Sequence, residues 1–434
     1  MSTVGFHTFG CKLNYSETSS ISRIFKENGY NKTSIYKNPE KIIINTCSVT
    51  ENANKKCKDL IKKIKNYSPK SKITVIGCYA QLKPNEILKI NGVDKVLGNK
   101  EKFDFKNYIN SSSKKIHSNI KESTNFNSTF SINERTRSFL KVQDGCNYGC
   151  SFCTIPLARG RSRSNTIKNT IKNIKIISDR NIKEIVLTGI NIGDFGIQNG
   201  KRKEKFINLL QETDKLKIKS RFRISSIEPN LLDNEIIEFI LNSKKFVHHF
   251  HIPLQSGNNK ILKAMGRRYN KELYENRIKK IKKIEPNACI GADVIVGYPG
   301  ETEFQFNKTY NYIKNLNINY LHVFPFSERE NTRAIKLQNK ISTSKKNERS
   351  KILRILSEKK KRFFYEKNLK SIKNVLFEEN VKNNFMYGFT DNYIKVRSKY
   401  DKKLINKIIP CNLESINSQG IVEIKPSILK EKVI

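Results

Sequence analysis

Three cysteines crowd one short run, Gly145-Cys146-Asn147-Tyr148-Gly149-Cys150-Ser151-Phe152-Cys153. The spacing C-x-x-x-C-x-x-C gathers three thiols in a single loop, with an aromatic residue just ahead of the last. Iron–sulfur clusters are held by cysteine thiolates, and a cubane ordinarily takes four. Three ligands leave one iron open, a place where a small molecule can bind and react. Zinc would call for a second C-x-x-C-like hook or for histidines, and no Cys or His follows closely enough to supply one. A disulfide does not suit an odd count of nine cysteines and no recognisable signal peptide.

A loop of this kind has to be presented by a scaffold, and the chain reads as alternating strands and helices. In the first third, Val4–Gly10, Ile42–Thr46 and Ile73–Gly77 are strand candidates, each followed by a helical stretch; one helix opens at Pro84, where proline suits the first turn. That alternation predicts an open parallel sheet with helices on its faces. Cys11, Cys47 and Cys78 each fall just past one of these strands. Carboxyl ends of neighbouring strands converge on the ligand crevice of such sheets, so the three point to a second cluster. The plainer alternative is three small buried residues.

Residues 103–136 turn to Ser, Asn and Lys, as an interdomain connection would. A second alternating series follows, with strands expected at Phe139–Gln143, Ile185–Thr188, Arg221–Ser225, His249–Leu254, Ile290–Val296 and Tyr320–Pro325. Helices are expected at Asn165–Ser178, Lys271–Ile284 and Thr302–Leu316. Six β/α units with right-handed crossovers curl into a partial (β/α)6 barrel whose active face lies at the strand carboxyl ends. The Cys146–Cys153 loop follows the first of these strands, and turns with small or polar residues follow the others. Gly-containing turns also follow strands for geometric reasons alone. A basic helix is expected from Thr343 to Lys370. From Val375 onward, apolar–polar alternation predicts a small β-barrel whose lysines and tyrosines (Tyr387, Tyr393, Tyr400) suit either nucleic acid or an ordinary surface.

The 434 residues are enough for two or three domains. No apolar run is long enough to span a bilayer, and nine cysteines without a targeting segment fit a reducing cytoplasm. Lys+Arg 83 against Asp+Glu 40 gives a net charge of +43 and a pI near 9.9, which favours a polyanionic partner such as RNA. Runs such as Lys279-Lys280-Ile281-Lys282-Lys283 are also what an AT-rich genome encodes, so part of this charge is equally well a solvated face.

The Cys146–Cys153 loop with Phe152 resembles that of the radical S-adenosylmethionine (SAM) superfamily, in which SAM chelates the open iron and is cleaved to a 5′-deoxyadenosyl radical. Taken whole, the chain resembles the methylthiotransferase family. The motifs are Thr8-Phe9-Gly10-Cys11-Lys12-Leu13-Asn14, Asn45-Thr46-Cys47, Gly77-Cys78-Tyr79, Gln143-Asp144-Gly145-Cys146 and the run from Ile155 to Ser164. Pro253-Leu254-Gln255-Ser256-Gly257, Met265-Gly266-Arg267-Arg268-Tyr269 and the run Asp293–Glu301 continue them. Lys12-Leu13 and the run His322–Ser327 are most similar to the MtaB branch, rather than to the MiaB or RimO branches.

The resemblance implies an N-terminal domain over residues 1–115 with an auxiliary cluster and a linker over 116–134. It further implies a radical SAM core over 135–365 and a TRAM RNA-binding domain over 366–434. It implies two [4Fe-4S] clusters, one on Cys11, Cys47 and Cys78 and one on Cys146, Cys150 and Cys153. Two SAM molecules are used: one methylates a sulfur carried at the auxiliary cluster, and the other yields the radical. The expected reaction places a methylthio group on carbon 2 of N6-threonylcarbamoyladenosine beside the anticodon, at position 37 of tRNA. That C–H is far too weak an acid for a side-chain base.

SAM contacts are expected from Phe152, Gly189, Asn191, Ser226, Glu228, Gln255, Gly297 and Glu301. Arg159, Arg161 and Arg163 are expected either to grip a phosphate or carboxylate or to form a solvated loop. Cys57, Cys289 and Cys411 are expected to be structural. The expected partners are tRNA and an electron donor of flavodoxin or ferredoxin type; no motif names the sulfur donor. The alternatives are a MiaB-like isopentenyladenosine enzyme, a RimO-like ribosomal-protein aspartate enzyme, or a non-enzymatic Fe–S RNA-binding protein.

Overall fold

The computed structural model describes residues 1–48, 51–109, 113–132 and 136–426. The N-terminal part is a six-stranded sheet, parallel throughout. Its order is Asn31–Thr33, Thr3–Thr8, Lys41–Thr46, Lys72–Gly77, Val93–Leu97, Lys115–Ile116. Three of these strands stand where the sequence put them. The outer ones are short or mostly polar, so they carry little periodic signal. Ile42 and Ile44 pack on one face with Ile61, Ile64, Ile73 and Val75, and Ile43 on the other with Ile21, Phe25 and Ile76. The sheet is therefore covered on both sides, as a parallel sheet must be.

The helix Lys12–Glu27 is amphipathic, but both its faces are covered. Its apolar residues Ile21 and Phe25 pack on the sheet, while Asn14, Ser16, Glu17, Thr18 and Ser19 are buried as well. Polar partners on the next part of the chain explain this. Ser16 Oγ lies 2.9 Å from Thr129 Oγ1, and Arg23 donates to the Phe130 carbonyl at 2.8 Å. Thr129–Phe130 pairs antiparallel with Arg137–Lys141, so the serine- and asparagine-rich connection supplies a strand to each sheet.

Six parallel strands follow in sequence order: Arg137–Lys141, Glu184–Thr188, Arg221–Ile224, His249–His251, Cys289–Val296 and Tyr320–Pro325. The third and fourth are joined only by single bridges, Phe222 to Phe246 and Ser226 to His251, and the array curls into a partial barrel. The fourth strand is shorter than the expected His249–Leu254 because Pro253 has no N–H to donate; Ile252 and Leu254 still bond outward to the carbonyls of Gly291 and Asp293. The helices Ile167–Ser178, Lys271–Ile284 and Glu303–Asn315 lie as expected, the last opened by a capping box between Thr302 and Gln305.

The helix Thr343–Asn368 leads into a closed five-stranded barrel, in the order Ile372–Lys382, Phe385–Phe389, Lys395–Lys399, Val422–Pro426, Ile408–Ile416. Its core is continuous with the larger barrel: Cys289, Phe364 and Tyr365 are buried in one cluster with Val375, Phe377, Val396 and Leu413, and Tyr320 packs against it. Arg137 pairs with Glu378, Arg221 Nη2 donates to the Phe389 carbonyl at 3.2 Å, and Asn392 Nδ2 donates to the Asn287 carbonyl at 3.0 Å. Among the described residues no helix is long and apolar enough to cross a membrane.

Candidate active site

The strands Thr3–Thr8, Lys41–Thr46 and Lys72–Gly77 are neighbours, with Thr8 opposite Asn45 and Thr46 opposite Gly77. Their carboxyl ends therefore bring Cys11, Cys47 and Cys78 to one edge of the sheet. Asn14 ties two of the loops, donating to the carbonyls of Phe9 at 2.8 Å and Thr46 at 3.1 Å. Thr46 Oγ1 ties in the third strand, donating to the Ile76 carbonyl at 2.6 Å. Gly10 and Gly77 sit at φ +98 and +97; a Cβ on Gly10 would meet Cys47 Cβ at 2.6 Å, and one on Gly77 would meet Asn45 Oδ1 at 2.4 Å. Only glycine permits this conformation at so close an approach. Cys11 occupies the N-cap position of the helix Lys12–Glu27 and Cys78 opens the helix Cys78–Leu82. Burial raises the Cys78 thiol, and the nearby Arg159 opposes that rise.

The Cys146–Cys153 loop is anchored at both ends. Gln143 Nε2 donates to the Gly145 carbonyl at 2.8 Å and to Ser162 Oγ at 2.9 Å, while its Oε1 accepts from the Asn191 amide at 2.8 Å. Ser151 N donates to the Met265 carbonyl at 2.9 Å, and Ser151 Oγ lies 2.8 Å from Tyr298 Oη. Arg333 holds the Gly149 carbonyl. Arg267 Nη1 donates to Cys150 Sγ at 3.1 Å and pairs through Nη2 with Glu228. Burial pushes the Cys146 thiol up to about 12 and that of Cys153 to about 11, so any metal taken up here displaces protons. All six thiols are free of disulfides. Two sets of three convergent thiols fit two iron–sulfur clusters, each with an open iron.

Three cavities adjoin these loops, among them one of about 710 Å³ lined by Cys11, Lys12, Arg223, Glu378 and Glu379. A smaller one of about 220 Å³ is lined by Phe152, Gln255, Asp293, Ile295 and the run 324–327. The largest, about 730 Å³, runs along the inside of the partial barrel; Cys11, Lys12 and Cys47 close one wall, and Arg223, Ser226, Asp293, Tyr320, His322 and Tyr393 line others. Asp293 and Phe324 line both of these last two. Asp293 Oδ1 lies 2.9 Å from His251 Nε2 and 3.2 Å from His322 Nδ1. Burial disfavours the Asp293 carboxylate, but the two imidazoles hold its carboxyl well below the usual range. Asn191 Oδ1, Ser225 Oγ and Gln255 Oε1 are buried without a partner among the described residues. They stand at the ends of the second, third and fourth strands, where an amino-acid or nucleoside ligand would satisfy them.

Comparison with known proteins agrees with this geometry. Residues 3–98 match a family model described as the uncharacterized protein family UPF0004, and residues 140–313 match the radical SAM superfamily. The threonylcarbamoyladenosine tRNA methylthiotransferase MtaB of Bacillus subtilis (strain 168) is 40% identical, over 94% of this chain and 93% of that protein. Its namesake from Aquifex aeolicus (strain VF5) is 36% identical over 92% and 98%. The chain belongs to the MtaB-type family of radical SAM methylthiotransferases. The tRNA-2-methylthio-N(6)-dimethylallyladenosine synthase of Syntrophus aciditrophicus (strain SB) is more distant, 33% identical over 81% and 78%.

In this MtaB-family enzyme, three of the eight residues expected around SAM line a cavity. Phe152 and Gln255 share the smaller cavity, Ser226 lines the larger one, and Glu228 reaches Cys150 through Arg267. Gly189 packs so tightly that a Cβ would meet Gln143 Oε1 at 2.9 Å. Gly297 and Glu301 stand apart. The Glu301 carboxylate is buried between the Gly297 amide at 2.6 Å and Arg349 at 2.9 Å, and it fastens the turn to the helix Thr343–Asn368. Arg159 and Arg163 are neither solvated nor open to phosphate. Arg159 is buried on Glu17, Asp144 and Asn14, and Arg163 on Asp144 and three carbonyls; Arg161 alone is exposed. Cys57, Cys289 and Cys411 are buried in hydrophobic cores, as expected.

Sequence reasoning passed over Lys12, Arg223, His251, Asp293 and His322 as site residues. Two arginines at alternate positions of one expected strand, Arg221 and Arg223, were the available signal, since a buried strand rarely spends charge that way.

Proposed function

We propose that this enzyme adds a methylthio group to carbon 2 of N6-threonylcarbamoyladenosine next to the tRNA anticodon, at position 37. The adjacency of two cavities carries this reading. The pocket beside Phe152 and the cavity closed by Cys11 and Cys47 share Asp293 and Phe324, so a base in the larger cavity would sit against Cys11 and Cys47 and next to the pocket lined by Phe152 of the other cysteine loop. The relatives from Bacillus and Aquifex bear the matching activity in their names.

When bound, the clusters and SAM supply the radical, the sulfur and the methyl group. The chain's own residues bind and position. Cys146, Cys150 and Cys153 hold one cluster and Cys11, Cys47 and Cys78 the other. Arg267 supports Cys150 and orients Glu228. Asn191 and Gln255, with their unpartnered oxygens, are suited to receive donor groups of SAM. The hydrophobic walls Phe152, Ile295, Phe324 and Phe326 keep water from a reactive intermediate. Residues 1–115, 135–365 and 366–434 serve respectively as auxiliary-cluster, radical and RNA-binding units. The basic surface suits tRNA, and a donor of flavodoxin or ferredoxin type supplies the electrons.

Nucleoside mass spectrometry of tRNA from a deletion strain tests this. The 2-methylthio derivative should vanish while threonylcarbamoyladenosine accumulates. Its persistence, with loss of another methylthio product, would sink the assignment.

A further inference from the structure

Among the described residues the larger cavity is lined by more cations than anions, Lys12, Arg223, Lys361 and Lys395 against Asp293, while Glu378 and Glu379 line an adjoining cavity that Lys12 and Arg223 also border. Arg223 is 5% exposed and lines it. Its Nε donates to Glu184 Oε1 at 3.3 Å, but that carboxylate is already committed to Arg137 at 2.8 Å and to Arg221 at 2.8 Å. One carboxylate thus faces three guanidiniums, and Arg223 holds the longest contact. Among the described residues nothing accepts from the Nη atoms of Arg223. The guanidinium lies 4.4 Å over the ring of Tyr393.

Lys12, directly after Cys11, lines the same cavity, and its ammonium likewise has no partner among the described residues. Asp293 is the one acidic residue lining this space among those described, and His251 and His322 occupy it. An under-compensated charge at a sheltered site is costly, and a planar guanidinium with free Nη groups is shaped for a carboxylate. Tyr393 adds a second sign of a binding site. It is a non-glycine residue at φ +66, a strained conformation that turns an aromatic ring onto Arg223 and onto Phe389, 4.7 Å away and nearly parallel.

We propose that Lys12 and Arg223 receive the carboxylate of the amino-acid substituent on adenosine N6, and thereby select an anionic substrate over one bearing an apolar chain. This rests on the substrate reading above. The same chemistry is present in the methionyl carboxylate of SAM, so a test has to separate the two.

Cluster-loaded full-length protein, without SAM, is titrated with three anticodon stem-loops. One carries threonylcarbamoyladenosine, one its carboxamide, and one unmodified adenosine. Wild type should bind the acid at least about tenfold more tightly than the amide, as a charge-assisted pair implies. Arg223→Gln and Lys12→Met should each bring that ratio to within about twofold. Lys12→Met removes no hydrogen bond, so it keeps the test sound if Arg223→Gln folds poorly; melting curves and iron content report folding. An unchanged acid-to-amide ratio in both variants overturns the assignment, as does a loss confined to SAM affinity in equilibrium dialysis. If wild type binds all three RNAs equally, the substrate reading itself fails and the assignment falls with it.

Discussion

Arg159 and Glu17 are joined by two hydrogen bonds, Nη1 to Oε1 at 2.9 Å and Nη2 to Oε2 at 3.2 Å, across the junction of the sheet and the barrel. Lys102 and Lys141 complete the shell of Glu17 at 2.6 and 3.2 Å, and Arg159 reaches on to Asp144, two residues before Cys146. The same guanidinium donates to Asn14, which bridges the Cys11 and Cys47 loops. One arginine therefore fixes the spacing of the two thiol sets.

Breaking this junction should be expensive. Arg159→Ala leaves Glu17 and Asp144 short of a buried counter-charge, and urea unfolding should show a loss of about 3–5 kcal/mol. A loss under about 1 kcal/mol would mean that the lysines alone satisfy Glu17.

The two cysteine sets should separate by function. Cys150→Ala and Cys47→Ala should each lower bound iron by about half on reconstitution, since each removes one of two cubanes. Only Cys150→Ala should abolish SAM cleavage; equal loss in both variants would argue against separate roles.

The glycines of the two loops should respond differently to a methyl group. Gly77→Ala, at φ +97 with Asn45 and Thr46 in contact, should empty the auxiliary site and lower the melting temperature. Gly149→Ala, whose Cβ would meet nothing nearer than Arg333 at 3.8 Å, should retain iron. Iron assays and melting curves on both variants decide this.

Acid should act through Glu184. Burial opposes its ionisation, but Arg137, Arg221 and Arg223 hold it down to about 2, against an ordinary 4.5. Its stabilisation is therefore complete above about pH 4.5 and is lost as pH falls toward 2. Melting curves from pH 7 to pH 3 should show Glu184→Gln already less stable at neutrality and flatter than wild type in the acid range.

Binding of tRNA should weaken steeply with salt. With net charge +43, raising salt from about 50 to about 200 mM should cost at least about a hundredfold in affinity; a flat profile would leave the basic surface without an RNA role.

The strands that place the thiols were legible because runs such as Ile42-Ile43-Ile44 and Val75-Ile76 are buried over nearly their whole length, and buried parallel strands read as continuous apolar stretches. The six thiols were legible by their position after strand ends. Contacts set by register or by docking were not. Glu184 meets Arg137 and Arg221 because it stands opposite both on adjoining strands, and Arg159 meets Glu17 only once the barrel docks on the helix Lys12–Glu27. Neither pairing leaves a local pattern, so Arg159 reads in sequence as a loop cation.

The shared core of the two barrels turns the C-terminal one into a caliper. With Cys289, Phe364 and Tyr365 buried in the same cluster as Val375 and Val396, the barrel cannot swing on a tether. An RNA bound there would meet the reaction centre at a constant reach, and a nucleotide would then be picked out by its distance along the strand as well as by its chemistry. Loosening that core should blur which position is modified before it slows modification.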